Sequence, residues 1–487
     1  MSPASAMQLA VALPVAASVP IVLTGRSPNL RELVTLVTAA VVLGLVGSTV
    51  PDVLAGERPE LTLLQLLPGL SLTFRLEPLG MIFALVASFL WLVTSIYSIG
   101  YMRGHHEQNQ TRFYACFALA IASALGVAFA GNMLTLFVAY EVLSLSTYPL
   151  VTHAGTDEAK RAGRLYLGIL MGTSIGFMLL AVMWTWHITG SLDFREGGLL
   201  AGQIEGPAAA ALLALYVFGI GKAAVMPFHR WLPAAMVAPT PVSALLHAVA
   251  VVKSGVFAIL KICVYLFGLD FLTSTGASDW LLYFAGATIL IGSLIAMRQD
   301  NLKARLAYST ISQLSYIVAG ALLASSLATT GAAMHIAMHA FGKITLFFCA
   351  GAILVAAHKT EISQMDGLGR AMPLTFSAFF IGSLSIIGLP PTGGTWSKFY
   401  LALGSLEAGQ MWILVTLMIS SVLNIAYLLP IPIRAFFAVS ADSESQAIKE
   451  APLPCLIAIG ASTAGCLYLF FDPSVVYELA RRIAGGG

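Results

Sequence analysis

The sequence predicts an all-α polytopic membrane protein of about fourteen transmembrane helices, with two inverted five-helix repeats that each contain a broken helix. Three observations lead there. Hydrophobic side chains make up 58% of the 487 residues and charged ones only 10%, well below the roughly 25% charged share of a soluble domain. Apolar stretches of about 20 residues, the length that crosses a bilayer, recur along the whole chain. The Lys and Arg residues between them alternate in number from one loop to the next.

The first three stretches, 7 to 24, 33 to 51 and 78 to 100, hold no charge. No basic residue precedes the first, and Arg26 and Arg31 follow it, so it reads as a retained span rather than a cleaved signal. Five more follow at 111 to 129, 131 to 151, 164 to 187, 207 to 228 and 241 to 267. A second five lie at 280 to 297, 305 to 326, 330 to 357, 373 to 404 and 409 to 433, and one last stretch at 452 to 471. Odd-numbered loops carry fifteen Lys and Arg, among them Arg103, Arg112, Lys160, Arg161, Arg164, Arg298, Lys303, Arg305 and Arg370. Even-numbered loops and both tails carry five: Arg58, Arg75, Arg195, Arg481 and Arg482. This bias places the odd loops in the cytoplasm and both termini outside it, with the chain in a cell inner (plasma) membrane.

Composition also excludes function classes. A net charge of +2, scattered over the chain, gives no basic patch for nucleic acid. Five cysteines lie singly in apolar surroundings without metal-ligand spacing, and read as small buried hydrophobes. No motif is readable for a flavin, nicotinamide, quinone or iron–sulphur cluster, so no cofactor is expected, and any coupled redox chemistry belongs to partner subunits.

The charges inside the spans are the informative ones. Lys222, Lys253, Lys261, Lys343 and Lys398 fall within apolar stretches, and so does one acid, Glu141. Each costs about 2.5 to 3.5 kcal/mol at mid-membrane on insertion scales, so packing alone does not account for them. In MHIAMHAFGKITLFF, His335, His339 and Lys343 recur every four residues and form a drifting stripe on one helix face. His335 and His339 have i, i+4 spacing, but no carboxylate accompanies them as in a zinc HExxH helix, and no metal is expected. His247 lies four residues after Ser243 and six before Lys253, which makes it part of the same polar interior.

Helix breakers mark two places. Pro227 removes a backbone donor and is expected to push on the carbonyl of Ala223, opening the seventh helix just beyond Lys222. Pro390 and Pro391, with Gly393 and Gly394, precede Lys398. Broken backbone in a membrane is tolerated only where protein or a water-lined cavity satisfies it. Each break falls in the fourth span of a five-span set, 111–268 and 280–437, and five is odd, so the sets lie in opposite orientations, as in an inverted repeat. A three-helix segment, 1–110, precedes them and the helix at 452–471 follows, within one membrane domain of 1–487.

The runs MPFHRWLPAAMVAPTPVSALLHAVAVVKSGV, AYEVLSLSTYPL, HAFGKITLFF and GLPPTGGTWSKF together resemble the antiporter-like subunits shared by Mrp-type multisubunit cation/proton antiporters and respiratory complex I. The resemblance implies fourteen helices, two inverted five-helix units and a water-filled polar axis halfway across the membrane. It implies a carboxylate–lysine pair, Glu141 with Lys222; a central Lys253 with His247 near it; a linking helix carrying His335, His339 and Lys343; and a terminal Lys398. About sixteen residues follow the last span, without the long lateral helix of the largest members, so the chain looks like a D-type Mrp subunit or a middle complex I subunit. Some complex I members carry glutamate where Lys398 stands, which favours Mrp. The implied activity is proton translocation within a monovalent cation (Na+ or K+)/proton antiporter, by a transporter subunit with no redox chemistry of its own and with other membrane subunits as partners. A proton-pumping subunit of a redox-driven complex, or of a membrane-bound hydrogenase or inorganic-carbon uptake system, is the alternative. Burial disfavours a lone ammonium and a nearby carboxylate favours it, so Glu141 is expected to switch Lys222. The proton then passes to Lys253, through His339 and Lys343, to Lys398.

Overall fold

The computed structural model describes residues 1–67, 69–439, 448–483 and 485. A helix stands on every predicted stretch: α1 Pro3–Leu23, α2 Pro28–Leu54, α3 Pro78–Gly104, α4 Gln110–Ala128, α5 Met133–Val151, α6 Asp157–Thr189, α7 Gly206–Gly219 and α8 Thr240–Phe267. Then come α9 Asp279–Arg298, α10 Leu302–Leu322, α11 Ser326–Ala357, α12 in two halves (Pro373–Ile387 and Gly394–Glu407), α13 Met411–Phe437 and α14 Leu453–Phe471. A short amphipathic helix, α15 Ser474–Ile483, follows. Hydrocarbon offers a backbone N–H or C=O no water to bond, so the chain stays helical wherever it crosses. Helix starts are read from sequence: Pro opens α1, α2, α3 and the first half of α12. Asn132, Thr156, Asn301 and Ser325 each accept an otherwise unpaired N–H at the starts of α5, α6, α10 and α11.

One element lies outside the all-helical expectation. Strands β1 Glu60–Leu67 and β2 Leu70–Arg75 pair antiparallel between α2 and α3, with Glu60 opposite Arg75. The hairpin is tied to the α4–α5 turn: Arg75 N–H donates to Phe129 O (2.7 Å), Gly131 N–H to Thr73 O (2.8 Å) and Asn132 Nδ2 to Ser71 O (2.8 Å). It marks one face of the bundle, called the hairpin face below.

The bundle has a centre and a rim. Helix α8 is wholly buried, and most of α3, α4 and α11 is buried around it, whereas α1, α2, α6, α13 and α14 turn most of their surface outward. Two segments of α8, 245–249 and 262–267, wind as π-helix, as does 174–178 in α6. Such turns often occur at functional positions, and His247 lies in the first.

Both breaks interrupt the fourth helix of their five, but the first differs from expectation. Helix α7 stops at Gly219, eight residues before Pro227, and Ala223 lies in a separate 3-10 turn, Gly221–Ala223. Pro227 therefore sits within the non-helical stretch without causing it. Ala224 turns the chain with φ +54°. Tertiary partners take up the backbone groups that leave the helix: Lys222 N–H donates to the Tyr140 hydroxyl (3.1 Å) and Trp231 Nε1 donates to Gly221 O (2.9 Å). At the second break Gly388 turns with φ +89°, Pro390 and Pro391 lie in the gap, and Gly393 N–H is taken by Cys466 O (2.9 Å).

Gly255 of α8 allows the central helix to lie directly on the first break: a Cβ there would overlap the backbone of Lys222 and Ala223. Gly255→Ala should therefore cost about 1–3 kcal/mol by overpacking, seen as a lower thermal midpoint in detergent. Gly168→Ala, exposed inside α6 and meeting nothing within 4 Å, should leave the midpoint unchanged or raise it slightly, since alanine favours the helix.

Candidate functional site

The first break delivers Lys222 against α5. Its Nζ donates to Ser144 Oγ (2.6 Å) and Tyr140 O (2.8 Å) and lies 3.1 Å from the centre of the Tyr140 ring. The expected partner, Glu141, sits on the same helix but forms no ion pair with it among the described residues. Both Glu141 carboxylate oxygens are buried without a hydrogen-bond partner. The physical reason is angular. Tyr140 and Ser144, four residues apart, face the Gly221–Ala223 turn that carries Lys222, while Glu141 is turned about 100° from Tyr140 on the helix. Lys222 is thus held by neutral groups.

The centre lies between α8 and α11. Lys253 is wholly buried and its Nζ is 2.6 Å from His339 Nδ1. His247, six residues earlier on α8, is wholly buried with neither ring nitrogen partnered, and its ring centre lies 4.7 Å from that of Phe347 of α11, the two rings tilted by 42°. His339 and His335 rings are 5.6 Å apart. His335 then binds Ser397 Oγ through Nδ1 (2.8 Å) and Gln313 Oε1 through Nε2 (3.2 Å), and stacks on Tyr316 at 5.7 Å. Ser397 precedes Lys398, whose Nζ donates to Ile387 O (3.0 Å) and Ser421 Oγ (3.2 Å) and lies 4.7 Å from the Tyr316 ring centre. A cavity of about 670 Å³ between the second half of α12 and α13 reaches Lys398 from the rim.

Lys343 does not lie between His339 and Lys398. Its Nζ donates to Ser309 Oγ (2.6 Å) and Leu306 O (3.3 Å), and Ser309 is also bound by the Tyr427 hydroxyl (2.9 Å). The contacts differ from the expected order: His339 is followed on α11 by His335, which bonds Ser397 next to Lys398, whereas Lys343, one turn the other way along α11, is held by Ser309 and Leu306 of α10. An i+4 repeat tells which residues share a helix face, but the neighbouring helices decide which of them meets which partner.

Reading the sequence singled out the ionisable groups and missed their neutral partners. Tyr140, Ser144, Gln313, Tyr316, Ser309, Ser397 and Tyr427 all touch a lysine or histidine of the site or the serine that holds one. For α10 a signal existed, since STISQLSY is a polar run in an apolar helix; for the others none did. Lys261, another of the interior lysines, is paired: its Nζ lies 3.0 Å from Glu77 Oε2 and donates to Ala130 O (2.6 Å).

Residues 130–424 match the family described as NADH:quinone oxidoreductase/Mrp antiporter, TM, and residues 69–114 match NADH-Ubiquinone oxidoreductase (complex I), chain 5 N-terminus. The chain is 36% identical over 361 residues to NADH-quinone oxidoreductase subunit N of Desulforudis audaxviator, covering 72% of this chain and 70% of that protein. It is 33% identical to a probable K(+)/H(+) antiporter subunit of Rhizobium meliloti over 68% of this chain but only 32% of that longer protein. The fold matches a chain of the Mrp complex from Dietzia sp. with a TM-score of 0.87 at 23% identity, covering 100% of this chain and 97% of that one.

The two α8 lysines should respond oppositely to removal. Breaking a buried ion pair costs about 3–5 kcal/mol, whereas an apolar residue replacing a buried charge that lacks a counter-charge is neutral or stabilising. Lys261→Met should lower the thermal midpoint of the purified protein, and Lys253→Met should leave it unchanged or raise it.

Proposed function

This chain belongs to the NADH:quinone oxidoreductase/Mrp antiporter transmembrane family, and on that footing we propose that it is the proton-translocating subunit of a multisubunit monovalent cation (Na+ or K+)/proton antiporter. The observation that carries translocation is the buried file Lys253–His339–His335–Ser397–Lys398, with direct contacts of 2.6 Å at one end and 2.8 Å near the other. It joins a lysine in the middle of the bundle to the second break. At the other end, Lys222 sits beside the buried, unpartnered carboxylate of Glu141. Proton transfer needs groups that both hold and release a proton, linked by hydrogen bonds or single waters. Lysine, histidine and glutamate do so, and the unpartnered nitrogens of His247 and His339 and the amide of Gln313 are sites where water joins the links.

A Glu141 carboxylate turned toward Lys222 holds the ammonium in place, and one turned away leaves its proton free to pass toward Lys253. Lys253 hands a proton to His339, and His335, Ser397 and water carry it to Lys398. Lys343, with Ser309 and Tyr427, forms a side branch from α11. The antiporter assignment draws on the K(+)/H(+) antiporter relative and on the lysine at position 398. A redox-driven pump is the second reading, supported by the 36% identity to NADH-quinone oxidoreductase subunit N. Co-purified subunits separate the two: small membrane proteins alone support the antiporter, and hydrophilic iron–sulphur proteins support the redox pump.

Lys253→Ala in the reconstituted complex should abolish ion-driven proton movement while assembly persists, and Glu141→Gln should slow it by an order of magnitude or more. Wild-type rates in both variants would overturn the relay. For topology, the loop charges predict that Glu158→Cys is labelled only from the cytoplasmic side and Glu57→Cys only from outside. Labelling of both from one side would contradict the orientation.

A further inference from the structure

The buried pair Glu77–Lys261 is not part of the file described above. Lys261 lies on α8, eight residues beyond Lys253, a rise of about 12 Å along the helix. Phe257 stands between them, four residues from each, so Lys253, Phe257, Lys261 and Tyr265 form one i, i+4 stripe toward the hairpin face. Lys261 is wholly buried and Glu77 nearly so. Their pair is nonetheless within reach of water. A cavity of about 330 Å³ has Glu77 in its wall, with Arg58, Arg75, Arg195, Glu196 and Tyr265. A second of about 470 Å³ shares Arg58, Glu196 and Tyr265 with it. Phe194, also in the first cavity's wall, has its ring centre 4.7 Å from Lys261 Nζ. Towards Lys253 the way is apolar: the Phe257 ring, 5.5 Å from Lys261 Nζ, packs on Phe83 at 5.2 Å.

We propose that Glu77 and Lys261 form a proton-exchange site that connects Lys253 to the water of the hairpin face, with Phe257 as the gate between them. The proposal rests on the relay reading of Lys253. A structural anchor explains the ion pair, but it does not explain why the pair borders a polar cavity and shares a helix face with the central lysine. In the exchange, the Lys261 ammonium gives its proton to the Glu77 carboxylate, leaving a free amine beside a neutral carboxyl. The carboxyl releases that proton to water in the cavity. When Phe257 swings from Phe83, the amine takes the next proton, passed through water from the Lys253 ammonium, and the pair is restored. Arg75 is already engaged with Glu60 (2.7 Å) and Phe194 O (2.8 Å), so it borders the site without competing for Glu77.

Arginine separates this role from an anchoring one, because a guanidinium keeps the ion pair but does not deprotonate in proteins. In the complete complex reconstituted in vesicles, Lys261→Arg should assemble as wild type and lower ion-driven proton movement at least tenfold. A wild-type rate would overturn the proposal. Lys253→Arg, measured alongside, keeps the two readings apart: a wild-type rate there sinks the relay itself, whereas loss in Lys253→Arg with a full rate in Lys261→Arg sinks only the exchange site. Should Lys261→Arg fail to assemble, Phe257→Ala decides. It should raise the passive proton leak of the vesicles at least fivefold, and adding Glu77→Gln should remove that increase. No added leak, or a leak that survives Glu77→Gln, overturns the proposal.

Discussion

A lysine side chain in hydrocarbon has to be given protein or water for neighbours, and much of this molecule is arranged around that need. Five lysines lie within its predicted spans, at about 2.5–3.5 kcal/mol each on insertion scales. Lys222, Lys253, Lys261 and Lys343 are wholly buried in protein, and Lys398 is partly so. Their surroundings follow from this requirement. Backbone carbonyls released at a break or a helix end receive Lys398 and Lys261, and hydroxyls of Ser144 and Ser309 receive Lys222 and Lys343. Intact helices contribute carbonyls as well, Tyr140 O to Lys222 and Leu306 O to Lys343, so each lysine draws on whatever acceptors its neighbouring helix presents.

Helix α8 carries two buried lysines in different surroundings. Lys261 has a counter-charge in Glu77, whereas Lys253 has only a histidine. The first arrangement compensates a buried charge, and the second joins α8 to α11 without a carboxylate among its hydrogen-bond partners. The π segment at 245–249 rotates His247 relative to the rest of α8 and places it against Phe347 of α11. Gly255 then lets the same helix press on the backbone at Lys222, so first break, central lysine and second repeat stay mechanically connected.

Openness at Glu141 and at Lys398 gives the file two ends that differ in kind. Glu141 is a buried acid without a partner on a helix whose next turns expose Val138, Val142 and Leu145. Lys398 lies at the wall of a largely apolar cavity bordered by Phe399, Met418 and Val422.

Much of this was legible in the sequence because a bilayer imposes simple local rules. Apolar length located all fourteen helices, the position of prolines and glycines located the second break, and the rarity of charge singled out Glu141, Lys222, Lys253, Lys343 and Lys398. The hairpin at 60–75 escaped because its leucines blur the alternation of a strand. Only the tertiary structure moved the first break from Pro227 to Gly219, where Tyr140 and Trp231 take up the freed backbone groups. It alone left Glu141 without a bond to Lys222, set His335 against Ser397 and Tyr316 and Lys343 against Ser309, and gave Lys261 its acid from another helix end. The reason is geometric: periodicity reports which residues share one face of one helix, whereas partners across helices depend on the rotation and depth of each neighbour, which no local pattern encodes.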